Sequence, residues 1–168
     1  MKTVLRTAAA GVALASLAVS SAASAATATG DAEALILEAL SVTAEAPLEF
    51  GTIAESGSGG TVTIATDGTQ TCSAGLACVN DGAAAGFAVV GVPDKTVVLS
   101  VPSATTTLTI DDGTGATMAV SGLAASSATT LLDGTGDGSF TVGGVLAVGN
   151  NQAPGFYAGT FDVTVVYQ

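Results

Sequence analysis

The stretch Phe156-Tyr157-Ala158-Gly159-Thr160-Phe161-Asp162-Val163-Thr164-Val165-Val166-Tyr167-Gln168 decides the fold. Tyr157, Phe161, Val163, Val165 and Tyr167 share one parity, whereas Asp162, Thr164 and Gln168 share the other. In an extended chain successive side chains point to opposite faces, so this pattern predicts a strand with one buried and one wet face. The whole chain holds 5 Phe and 2 Tyr, and four of these seven aromatics lie here, which makes the segment a major supplier of core.

Working outward, the same signature recurs as short β-branched runs between Gly, Asp, Asn and Pro. They are Leu35 to Thr43, Gly60 to Thr66, Phe87 to Val92, Thr96 to Val101, Thr107 to Ile110, Met118 to Leu123 and Ser139 to Val148. With Phe156 to Tyr167 they predict an all-β, immunoglobulin-like antiparallel β-sandwich of about 7–8 strands. The intervening ESGSGG, TDGTQ, DDGTG and DGTGDG are turn chemistry, because Gly accepts positive φ and Asp bonds nearby backbone. AEALILEAL could form a helix alone, but its all-β context predicts extended structure.

The amino end reads differently. Lys2 and Arg6 precede an apolar run from Ala8 to Val19 and then Ala23-Ser24-Ala25, the pattern of a secretory signal over residues 1–25 with an A-x-A cleavage site. The run is too short for a membrane span, so no span is expected after cleavage. Residues 26–168 then form a single domain, with 26–34 as a flexible or strand-donating extension. That domain keeps Lys95 as its one base against 14 acids, a net charge of -13. Such acidity speaks against nucleic acid and anionic membrane as partners and favours solubility and repulsion between copies. Mean hydropathy of +0.63 speaks against disorder.

An exported chain meets an oxidising compartment, where Cys72 and Cys78 are expected to pair and pin the excursion TCSAGLACVN. With no His, neither a Ser-His-Asp nor a Cys-His arrangement can be built, and Lys95 sits in no nucleophile motif. With no Trp, a sugar cleft built on indole platforms is also lacking. The inventory points to a protein without enzymatic activity or cofactor. The best cation candidates are Asp133 and Asp137, with Asp111 and Asp112, whose hard oxygens on loops suit calcium. The same letters make hairpin turns, so at most weak binding is expected there.

Three further stretches, Leu48-Glu49-Phe50-Gly51-Thr52-Ile53, Gly60-Thr61-Val62-Thr63-Ile64 and Val142-Gly143-Gly144-Val145-Leu146-Ala147-Val148, complete a pattern with Gly155 to Gln168. Together they resemble the bacterial secreted family called domain of unknown function 4402, which carries no assigned activity. More distantly the ending is similar to spore coat protein U and to chaperone-usher pilin subunits. In those subunits a final alternating strand ends on a penultimate tyrosine, the place of Tyr167 here, and Gly155 takes the upstream glycine position. That resemblance implies a structural subunit of the cell surface or an extracellular fibre, assembling by strand addition with copies of itself, a periplasmic chaperone and an usher. Gly155, Tyr157, Phe161, Val163, Val165 and Tyr167 would form the assembly or core strand. The alternative is a self-complete secreted module that binds carbohydrate, protein or weakly calcium.

Overall fold

The computed structural model describes residues 26–102 and 115–168, together with the backbone of residues 106–110. The expected signal segment 1–25 and the calcium candidates Asp111 and Asp112 lie outside the described residues. Chain contacts divide the protein into one unit ending at Leu35 and a second, Ile36–Gln168, that holds every strand among the described residues.

The strands are β1 (Ser41–Ala46), β2 (Ile53–Glu55), β3 (Gly60–Ile64), β4 (Gln70–Cys72), β5 (Leu76–Cys78), β6 (Ala85–Val90), β7 (Thr96–Ser100), β8 (Thr106–Ile110), β9 (Thr117–Ala125), β10 (Thr129–Leu131), β11 (Asp137–Val148), β12 (Tyr157–Ala158) and β13 (Thr164–Tyr167). All pairings are antiparallel, and no helix occurs among the described residues. A large sheet runs β1-β6-β11-β9-β8-β12, with β3 and β4 added beside β11. A smaller sheet runs β10-β7-β13, and β2 pairs with β5. The architecture is an all-β sandwich.

Its organising strand is β11, whose buried parity (Phe140, Val142, Leu146, Val148) faces the interior along most of its length. Its first half pairs with β6 from Asp137↔Val90 to Val142↔Ala85, and its second half with β3 from Gly144↔Ile64 to Val148↔Gly60. The change of partner falls at Gly143, where a Cβ would collide with the Ile64 carbonyl oxygen, so no larger residue fits. Opposite, the β9 register slips between Gly143 and Val145 beside Gly122 at φ +60, a bulge that needs glycine's access to the left-handed region. Val62 and Ile64 of β3, Ala85, Phe87 and Val89 of β6, and Val97 and Leu99 of β7 share the core with Phe50, Val120, Leu123 and Leu132. The alternation of period two puts these residues inside and their Thr, Ser and Ala neighbours outside.

Several boundaries differ from the sequence expectation. The first strand begins at Ser41, not Leu35, because residues 35–40 find no pairing partner. Four short strands, β2, β4, β5 and β10, are added; three residues are too few to show a period. The expected single strand Phe156–Tyr167 is two: Tyr157 and Ala158 pair with β8 in the large sheet, and Thr164–Tyr167 pair with β7 in the small one. Between them the chain crosses from one layer to the other, a corner of the kind that sandwiches make where a strand changes sheets.

Candidate functional site

No cluster of His, Cys, Asp or Glu suited to holding a metal occurs among the described residues, and no polar side chain is buried there. An open recess of about 370 Å³ is lined by Ala54, Glu55, Ser56, Gly75, Leu76 and Ala77. Its one charged residue is already engaged, since Glu55 Oε1 accepts from the Gly59 N–H at 3.2 Å and the Asn151 N–H at 2.9 Å. The recess therefore presents little free chemistry.

The acidic loop is also self-satisfied. Asp133 Oδ1 accepts from the N–H groups of Thr135 at 2.8 Å and Asp137 at 2.9 Å. The Thr135 hydroxyl lies 2.7 Å from the same oxygen and 2.9 Å from Asp137 Oδ2, so its one proton can be donated to either carboxylate. The turn closes with Gly136 N–H on the Asp133 carbonyl at 3.0 Å. The side-chain bond from Thr135 first, and then the backbone bonds, hold the Asp133 carboxyl below its ordinary range. Turn formation thus brings Asp133 and Asp137 together.

Cys72 and Cys78 are joined, tying the end of β4 to the end of β5 across a sequence separation of 6. β5 carries β2 with it through Ile53↔Cys78, so the bridge fastens this small sheet to β3 and β4.

The remaining feature is one flank of the sandwich. Phe161 meets Phe87 of β6 edge-on, centroids 6.1 Å apart, while Thr130 of β10 and Leu132 lie against Gly138 of β11. The small sheet therefore crosses the large one with β10 near β11 and β13 over β6. Beyond β6 comes β1, and no described strand lies over it. Val42 and Ala44 pair with Val89 and Phe87, and directly paired residues face the same side. Yet Val42 is 38% exposed and all six residues of β1 are exposed.

β13 forms the other wall of this open flank. The Gln168 N–H bonds to the Thr96 carbonyl at 3.0 Å. Antiparallel pairs alternate, so Val166 and Thr164 also turn their backbone groups to β7 while Val165 and Tyr167 turn theirs to the free edge. The side chains of Phe161, Val163, Val165 and Tyr167 face the core, as the parity predicts, but all are only half-buried. Val166, of opposite parity, is 51% exposed. Tyr157 serves elsewhere: its hydroxyl donates to the Ala153 carbonyl at 2.7 Å and accepts from Gln152 at 2.8 Å, closing the loop before β12. Gly155 lies exposed in that loop.

Sequence reasoning did not find the contrast between the two edges of this flank. The edge of β1 is blunted by Glu45 and by a bulge between Ala44 and Ala46. That of β13 has no charge, proline or bulge, which are the devices that stop a strand from pairing further. The signal was present in the letters, as Glu45 against Thr-Val-Val-Tyr, but only the strand order shows which edges are free.

No curated protein and no solved structure matches the chain. The family described as domain of unknown function (DUF4402) matches over residues 40–167, which span every strand among the described residues. The chain belongs to that family.

Proposed function

We propose that the protein is a non-enzymatic structural subunit of the bacterial cell surface, exported and assembled from copies of itself by strand addition. The observation that carries this reading is the unblunted edge of β13 beside a half-covered core. An added strand would satisfy the backbone groups of Val165 and Tyr167 and cover Val163 and Val42. The amino-terminal extension supplies a strand of suitable length. Residues 26–36 have no strand partner, and Leu35 and Ile36 are 79% and 91% exposed. Before assembly such a flank needs a cover, the role a periplasmic chaperone would fill, with an usher ordering the subunits.

The test is the size distribution of protein exported in its native host, for the full chain and for one lacking Ala26–Ile36. The reading expects a detergent-resistant ladder from the full chain and a folded single species from the truncated one. A full-length protein that stays monomeric at high concentration after export with its native partners defeats it. Such a monomer retaining a bound sugar or peptide would favour the self-complete binding module instead.

A further inference from the structure

One side chain joins the three chain segments that meet at the end of β13. The Tyr167 hydroxyl accepts from the Val92 N–H at 2.8 Å and donates to the Glu38 carbonyl at 2.9 Å. A Cβ on Gly91 would fall 2.6 Å from both Leu40 Cδ2 and this hydroxyl, so the glycine leaves room for the two to close over the turn between β6 and β7. Leu37 and Leu40 are half-buried, whereas Glu38 and Ala39 are exposed. Just before them the chain becomes fully exposed, beginning with Ile36.

We propose that Tyr167 is a positioning residue that anchors the root of the amino-terminal extension at one end of β13, and so makes copies join head to tail. β13 runs from Thr164 to Tyr167, and the protein's own extension departs from the Tyr167 end. That end is occupied by Leu37–Leu40, so in this arrangement the body of a neighbour takes the Thr164 end. A strand entering antiparallel to β13 brings its own domain to the Thr164 end. The incoming copy and the outgoing extension then lie at opposite ends, and the contact is heterologous and propagates. Parallel entry would bring both roots to the Tyr167 end and favour a closed pair. The direction of growth rests on the strand-addition reading, whereas the anchor does not.

The test uses the exported full chain with Tyr167→Phe, which keeps the ring and removes the hydroxyl, and Leu40→Ala, which loosens the same root without touching β13. A glutamate-specific protease reports on the anchor, because Glu38 lies within the root and Glu33, in the exposed extension, is an internal standard. Cleavage after Glu38 relative to Glu33 should rise about tenfold in Tyr167→Phe, the size expected from losing one hydrogen bond that resists local opening. Leu40→Ala should raise it likewise, and serves alone should Tyr167→Phe fail to fold. An unchanged ratio in the folded variants overturns the anchor. A raised ratio in a protein that never oligomerises keeps the anchor and defeats the subunit reading. If the wild-type protein forms only dimers, head-to-tail growth is overturned; a ladder that becomes shorter in Tyr167→Phe supports it.

Discussion

The two flanks of the sandwich are built from the same kinds of residue and finished differently. Where β3 and β9 border β11, Val62, Ile64, Val142 and Leu146 are almost wholly removed from water, with apolar chains above and beside them. Where β1 borders β6, Val42 and Ala44 point to the same interior side and remain exposed, and Val163 and Val165 opposite are half-buried. Valine at a strand position is therefore not by itself a core residue. Its burial depends on whether a second layer lies over it, and that is a property of strand order. The difference separates the part of the molecule that stabilises the fold from the part left available for a partner.

The sharpest way to break this comparison is to truncate one apolar side chain on each flank to alanine. Leu146→Ala, within the closed flank, should cost about 2–5 kcal/mol, because it removes transfer energy and leaves a cavity that its packed neighbours cannot fill. Val163→Ala should cost well under half of that, since it removes fewer carbons from a side chain that is already partly in water. Urea unfolding of the purified monomer measures both. Equal losses would mean that the open flank is as well packed as the closed one.

The disulfide should act next in size, and on one end of the closed flank only. Bridging residues six apart constrains a short loop of the unfolded chain, worth about 2–3 kcal/mol. Reduction should lower the melting temperature while keeping the β-sheet circular dichroism signal, because β6, β7, β9 and β11 lie outside the loop. Complete unfolding on reduction would show that β2 and β5 seal the core rather than decorate it.

On the open edge the prediction is about association more than stability. Val166→Thr, at an exposed position of β13, should change stability by about 0.5 kcal/mol or less. Val165→Pro removes an N–H aimed at the free edge without taking a bond from β7, so it should suppress the oligomer ladder far more than it lowers monomer stability. A ladder that survives Val165→Pro unchanged would move the assembly surface away from β13.

Much of this was legible in the letters, and what was not has a physical reason. Period-two alternation located β3, β6, β7, β9 and β11 within a few residues, because each has a buried partner face that selection writes as every second residue apolar. β10 and β5 were not legible, being three residues long. In Phe156–Tyr167 the parity holds from Phe161 to Tyr167, but Tyr157 closes a loop instead of joining the core, and the segment is not one strand. Phe161 and Val163 keep the alternation while the chain changes sheets, since both layers face the same core. The disulfide was expected from two cysteines in a chain read as exported, and the two are joined. The open flank did not follow from anything local: Val42, Val163 and Val165 look like core valines until the order of the strands shows what fails to cover them.

The smallest expected effect concerns the acidic loop, and it distinguishes a turn from a cation site. Asp133 is fully exposed, and its carboxyl is held below the ordinary range by the Thr135 hydroxyl and by N–H groups of the same loop. A group whose folded-state pKa is depressed contributes stability that is present above its unfolded value, about 3.9, and is lost as pH falls through the folded value. The loop should therefore be unchanged from neutrality down to about pH 5 and loosen only in more acid solution. The expected sign is a chemical-shift change of the Thr135 and Asp137 amides below about pH 4, with little movement of the melting temperature. Asp133→Asn, which keeps an acceptor oxygen for those amides, should remove the acid transition and preserve the turn. Added calcium should leave the same amides where they are, because Asp133 Oδ1 already takes three donors from its own loop. A calcium-induced shift of both amides at neutral pH, abolished by Asp133→Asn, would make the loop a ligand site rather than a turn.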